Sequence, residues 1–149
     1  MQEAYGVADD PNAGEFLGWW RYSTVPYVSG THGGRYVMNW GNRTGAGYIN
    51  YEDSEPLPAG SVIAKDSFSV GADGKATLGP LFLMEKMAPG FNEASGDWKY
   101  TMIMPDGSTF GTTGGAGDAS VQFCNECHAV VAEDQDYLYF LPDEYRSEN

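Results

Sequence analysis

The chain has 149 residues, 42% apolar and 19% charged, which is the make-up of one folded domain rather than a disordered chain. Eight Lys and Arg stand against 21 Asp and Glu, a net charge of −13. That excludes tracking a phosphate backbone or lying on an anionic membrane surface, and it favours neutral small molecules or basic proteins as partners. No stretch approaches the ~20 apolar residues of a membrane span.

Residues 1–15 are polar and acidic, and Asp9-Asp10-Pro11-Asn12 marks a loop, so they read as a flexible amino-terminal arm before one domain over 16–149. Phe16 to Tyr22 is aromatic and fits a short helix or strand. Arg35 to Asn39 fits a strand after the break at Gly33-Gly34. Gly41 to Gly47 is too rich in glycine for a regular element. Ser61 to Val70 is the best strand, Ala72-Asp73-Gly74-Lys75 turns the chain, and Leu81 to Met87 returns it. Trp98 to Met104 follows another turn, residues 111–118 read as a loop, Val121 to Glu133 has helical character, and Asp136 to Leu141 closes the chain. Twenty Gly and eight Pro, spread among 21 aromatic residues, predict a mainly β (α+β) fold: an antiparallel sheet with a short carboxyl-terminal helix.

The two cysteines fall in Cys124-Asn125-Glu126-Cys127-His128, the pattern for covalent attachment of c-type haem. On one helical turn, thiols three positions apart each reach a porphyrin vinyl group, and His128 then offers its imidazole to the iron. Rival readings are a disulfide, which would close too small a loop to stabilise much, and a thioredoxin-like pair, which needs a βαβ setting. A third is zinc held by Cys124, Cys127, His128 and His32. Thioether formation takes place outside the cytoplasm in bacteria, so the haem reading predicts a periplasmic protein whose leader has been removed.

Small electron-carrier cytochromes place this motif near the amino end and add a Met ligand. Met38, Met84, Met87 and Met102 lie in predicted core segments, where Met more often fills gaps. The long helices of four-helix cytochromes do not survive this Gly and Pro spacing. Lys65 lies in mid-strand, sharing its face with Ile63, Ser67 and Ser69 while Asp66 shares the other with Val62, Ala64 and Phe68. Pattern alone favours a lysine that snorkels to water; a desolvated one would be a neutral nucleophile.

Several segments together resemble the cytochrome P-460 family, which includes the cytochromes c′-beta. They are Ser29-Gly30-Thr31-His32-Gly33 before Arg35 to Asn39, Pro58 to Asp66, Leu83 to Lys86, and Gly96 to Tyr100 before the haem motif. The resemblance implies a small homodimeric β protein with His128 as proximal ligand and an open distal iron face. It places Lys65 where these proteins bond a lysine to the porphyrin edge, and Arg35 near the distal ligand. It implies oxidation of hydroxylamine, to nitrous oxide or nitric oxide, with electrons passing to a soluble, basic acceptor. The alternative it implies is a nitric oxide-binding protein without turnover. The position of the distal carboxylate in the oxidising members is filled by Phe82, with Glu85 nearby. An aromatic cap is what the gas-binding members use.

Overall fold

The computed structural model describes residue 5 and residues 8–53 and 55–147. Eight strands form one antiparallel sheet: β1 (Trp20–Arg21), β2 (Tyr27–Ser29), β3 (Arg35–Gly41), β4 (Val62–Val70), β5 (Ala76–Leu78), β6 (Leu81–Lys86), β7 (Trp98–Ile103) and β8 (Thr109–Thr112). Their order is β1-β3-β4-β6-β7-β8, with β2 beside β3 and β5 beside β4. Helix α1 (Pro11–Glu15) precedes the sheet, and α2 (Gln122–His128) and α3 (Ala132–Gln135) follow it within a run of short helical turns. The sheet and the carboxyl-terminal helix carrying both cysteines match the predicted α+β class.

The centre of the sheet is the β3-β4-β6-β7 ladder. Its register sets Asn39, Lys65, Phe82 and Met102 in one cross-strand row, and Gly41, Ile63, Met84 and Tyr100 in the next row on the same face. Because side chains alternate along a strand, Ala64 and Leu83 point the other way. Each face has its own core. Ile63, Met84, Trp98 and Tyr100 pack with Tyr22, Tyr48, Leu138 and Leu141, and Cys124 joins them. Ala64, Leu81, Leu83 and Ile103 pack with Tyr5, Ala13 and Phe16. Covering a sheet on both faces removes the apolar–polar alternation that would orient a strand from sequence. That is why β4 is buried at consecutive positions, Val62, Ile63 and Ala64 alike.

Three elements differ from the sequence expectations. In the amino-terminal arm, Tyr5 and Ala13 are fully buried, and the Tyr5 hydroxyl donates to the Gly79 carbonyl at 2.5 Å. A strand begins again at Ala76 after the turn but breaks at Gly79-Pro80, because proline has no N–H for the ladder. The Pro80 carbonyl instead accepts from Ser67 Oγ at 2.6 Å. Finally, β8 extends into the segment read as a loop, and the predicted helix is divided, with a 3-10 turn at Ala129–Val131 between α2 and α3.

Candidate haem site

The face of the sheet that carries Lys65 and Phe82 lies opposite α2 and the segment that follows it. Between them is a cavity of about 790 Å³, counting all atom-free space out to its mouth. Lys65, Cys124, Cys127 and His128 all line it, so the fold brings together four positions that are up to 63 residues apart in the chain. The other walls are mainly apolar and aromatic: Ile63, Phe82, Met84, Tyr100, Phe123 and Leu138. No aspartate or glutamate is among the lining residues. Glu85 points to the other face of the sheet and pairs with Lys99, so it offers no carboxylate to the cavity.

The helix that bears the motif has no side-chain cap, and its residues are only partly buried. What fixes it is the site itself. His128 Nδ1 lies 2.6 Å from the Tyr137 carbonyl oxygen. A carbonyl only accepts, so Nδ1 carries the proton and the Nε2 lone pair is free. This is the arrangement by which a metal-ligating histidine is held in one tautomer. Burial pushes the His128 pKa down to about 4, which keeps the imidazole neutral at physiological pH; the Tyr137 bond opposes that shift and Lys65 adds to it. The ring is flanked by Tyr100 and Tyr139, each with its centroid 5.4 Å away.

Both thiols are unpaired, which leaves them available for thioether bonds. Among the described residues, no three of His, Cys, Asp and Glu come together as a metal-binding group. The zinc alternative, with His32 as the fourth ligand, therefore lacks its cluster. The Tyr100 hydroxyl is buried in the cavity wall without a hydrogen-bond partner. An unused buried donor is costly, and a polar group brought in with a cofactor would satisfy it. Two unpaired cysteines on one helical turn, a neutral histidine with a free Nε2, an apolar slot and an orphaned hydroxyl fit c-type haem.

Lys65 does not snorkel out of its strand. Its amine faces the cavity, and burial pushes its pKa down to about 8, partly offset by the Cys127 sulfur. His32, weighed from sequence only as a zinc ligand, also lines the cavity. Gly33 and Gly34, both with positive φ, turn the chain sharply after it and into β3. Its Nδ1 lies 2.8 Å from Ser29 Oγ, and its ring meets Phe82 edge-on with centroids 4.7 Å apart. Burial, then the charges of Lys65 and His128, push its pKa down to about 3.

Arg35 is not among the lining residues. Its side chain runs past Gly79, with Cδ and Nη1 each 3.0 Å from where a Cβ on that glycine would stand. The residues missed from sequence are polar ones on neighbouring elements. Asn39 accepts from the Tyr27 hydroxyl at 2.9 Å, and the Tyr48 hydroxyl donates to the Tyr139 carbonyl at 2.8 Å. The Tyr139 hydroxyl in turn donates to the Cys127 carbonyl at 3.0 Å, tying the cavity's rim to the haem-binding helix. A lone His before two glycines was the one legible signal among them.

The family model described as Cytochrome P460 matches residues 26–140, from the strand before His32 to the segment after His128. A comparison with curated proteins gave no match. The match spans most of the chain and contains every lining residue of the cavity, so the chain belongs to the cytochrome P460 family and is a c-type haem protein, with Cys124 and Cys127 as the pair that fits haem attachment.

Proposed function

We propose that this protein oxidises hydroxylamine at its haem and passes the electrons to a soluble acceptor. The observation that carries the reading is Lys65: a desolvated amine in the wall of the cavity that holds Cys127 and His128. When bound, c-type haem supplies an iron that takes a nitrogen ligand and accepts its electrons. The chain's residues then have distinct tasks. Cys124 and Cys127 anchor the cofactor, and His128 Nε2 is the proximal ligand. With its pKa near 8, Lys65 is neutral often enough to act as a nucleophile. Its Nζ bonds to a porphyrin carbon with loss of one N–H and one C–H hydrogen, and two electrons leave to a peroxide-class oxidant.

Oxidising hydroxylamine also releases protons, and the cavity has no carboxylate to take them. His32 is the base assigned to that task, since Ser29 occupies its Nδ1 and leaves Nε2 for the ligand. Arg35 has no direct contact with the ligand in this reading. The net charge of −13 suits a basic redox partner, and thioether attachment suits the periplasm. Among the described residues no helix is long and apolar enough to cross a membrane. Dimer formation rests on the family resemblance alone.

A second reading has its own support. Phe82 packs against His32 over an apolar cavity, and the low pKa of His32 makes it a weak proton acceptor. Both suit a protein that holds nitric oxide without turnover. The haem-loaded protein separates the readings. Hydroxylamine oxidation is expected with a strongly red-shifted ferrous Soret band, a haem peptide cross-linked through Lys65, and loss of both in Lys65→Ala. His32→Gln is expected to lower kcat by about a hundredfold. A stable nitrosyl with an ordinary c-type spectrum and no oxidation would reject the catalytic reading.

A further inference from the structure

The carbonyl that holds His128 belongs to a strained loop. Asp136 and Tyr137 follow α3 with φ values of +46° and +64°, two successive left-handed residues of which neither is glycine. Side chains rarely adopt this conformation, so it persists only where the surroundings impose it. Those surroundings come from the far side of the sheet's open face. Lys86, at the end of β6, places Nζ 2.6 Å from Asp136 Oδ1, with both side chains largely buried at 14% and 17% exposure. The Leu57 backbone N–H donates to Asp136 Oδ2 at 3.3 Å. Trp98, fully buried at the start of β7, donates from Nε1 to the Asp136 carbonyl at 2.8 Å. The Lys86 ammonium also sits 4.9 Å from the Trp98 ring centroid. The Tyr137 ring lies directly against Gly96, where no side chain fits.

We propose that Lys86, Asp136 and Trp98 form a lock that positions the proximal histidine. Lys86 and Trp98 grip Asp136 by its carboxylate and its carbonyl. That grip sets the backbone at Tyr137, whose carbonyl takes the His128 Nδ1 proton. None of the three is among the residues lining the cavity, so they act through His128 and are positioning residues. A firm hydrogen bond from Nδ1 gives the imidazole partial imidazolate character. It strengthens the bond from Nε2 to iron and favours the ferric state. The lock therefore tunes the haem through the proximal side, independently of Lys65 on the sheet. It rests on the reading of His128 as proximal ligand.

The test uses the haem-loaded protein and two readouts that need no turnover: the iron–histidine stretching band of the ferrous form and the reduction potential. Lys86→Met and Asp136→Asn are expected to lower the band's frequency and raise the potential. Lys86→Arg, which can still pair with Asp136, is expected to restore both. Lys99→Met breaks a neighbouring ion pair of the same two strands and is expected to change neither. Trp98→Phe removes the Nε1 donor alone, and it carries the test should the charge variants fail to accumulate. Band and potential unchanged in folded Asp136→Asn or Trp98→Phe would overturn the lock. In His128→Gly the band is expected to vanish and to return with added imidazole. A band that survives His128→Gly would show that another residue binds the iron, overturning the ligand reading and the lock with it.

Discussion

Replacing Lys65 with Met keeps the apolar stem and removes the ammonium. Burial holds the amine at about 8 in the fold against 10.5 when free. At about 1.4 kcal/mol per pH unit, the folded haem-free chain near neutral pH carries a charge that costs it about 3 kcal/mol. The sign follows from proton counts. Between pH 8 and 10.5 the unfolded chain binds more protons than the folded one, so this group's contribution to stability rises with pH, and below 8 the penalty is fully present. The Met variant should therefore gain about 3 kcal/mol more from losing the charge at about pH 7 than it does well above the free pKa, and by about pH 9.5 only about 1 kcal/mol of that gain remains. The assay is denaturant unfolding of the haem-free chain, made in a host that does not mature c-type haem. Subtracting wild type from variant at each pH cancels the titration of the buried tyrosines. The packing change from Lys to Met adds a constant that pH does not move. A difference that stays the same at both pH values would mean that the amine reaches water. The case for Lys65 as a nucleophile would then fail.

His32 gives an acid-side counterpart. Its folded pKa of about 3 lies below the free value of 6.5, so stability falls as pH drops from about 6.5 towards 3, while the unfolded chain takes up the proton that the fold refuses. In His32→Gln the acid limb of a pH–stability curve should be shallower than in wild type. Gly41 is the third case: a Cβ there would meet the ring of Tyr22 and stand 2.5 Å from its hydroxyl oxygen. Tyr22 is fully buried, packs edge-on against Tyr48 and donates to the Gly45 carbonyl, so it has nowhere to go. Gly41→Ala should cost about 1–3 kcal/mol in thermal or denaturant unfolding.

The haem motif was legible because its chemistry is local. Cys124, Cys127 and His128 lie within five residues, and one helical turn is enough to aim them at one cofactor. Strands β4, β6 and β7 were legible for a similar reason, since β-branched and aromatic runs bounded by turn residues need no distant partner to be read. Lys65 was ambiguous because its strand is covered on both faces. Only the packing of Tyr5 and Phe16 on one side, and of Leu138 with α2 on the other, shows which face became a cavity.

The rest of the site depends on distant pairings. That His32 faces the same cavity as His128, and that Arg35 turns aside towards Gly79, follows from where the β2–β3 connection lies against β6. The proton on His128 Nδ1 is fixed by a carbonyl nine residues later, and that carbonyl is aimed by Lys86 and Trp98 on separate strands. The sequence by itself determined the cofactor, its anchors and the β-rich class, because residue type and short spacing suffice for those. The tertiary structure alone decided which polar groups meet the cofactor and how its ligand is held, because a strained loop and a buried ion pair exist only once the strands have paired.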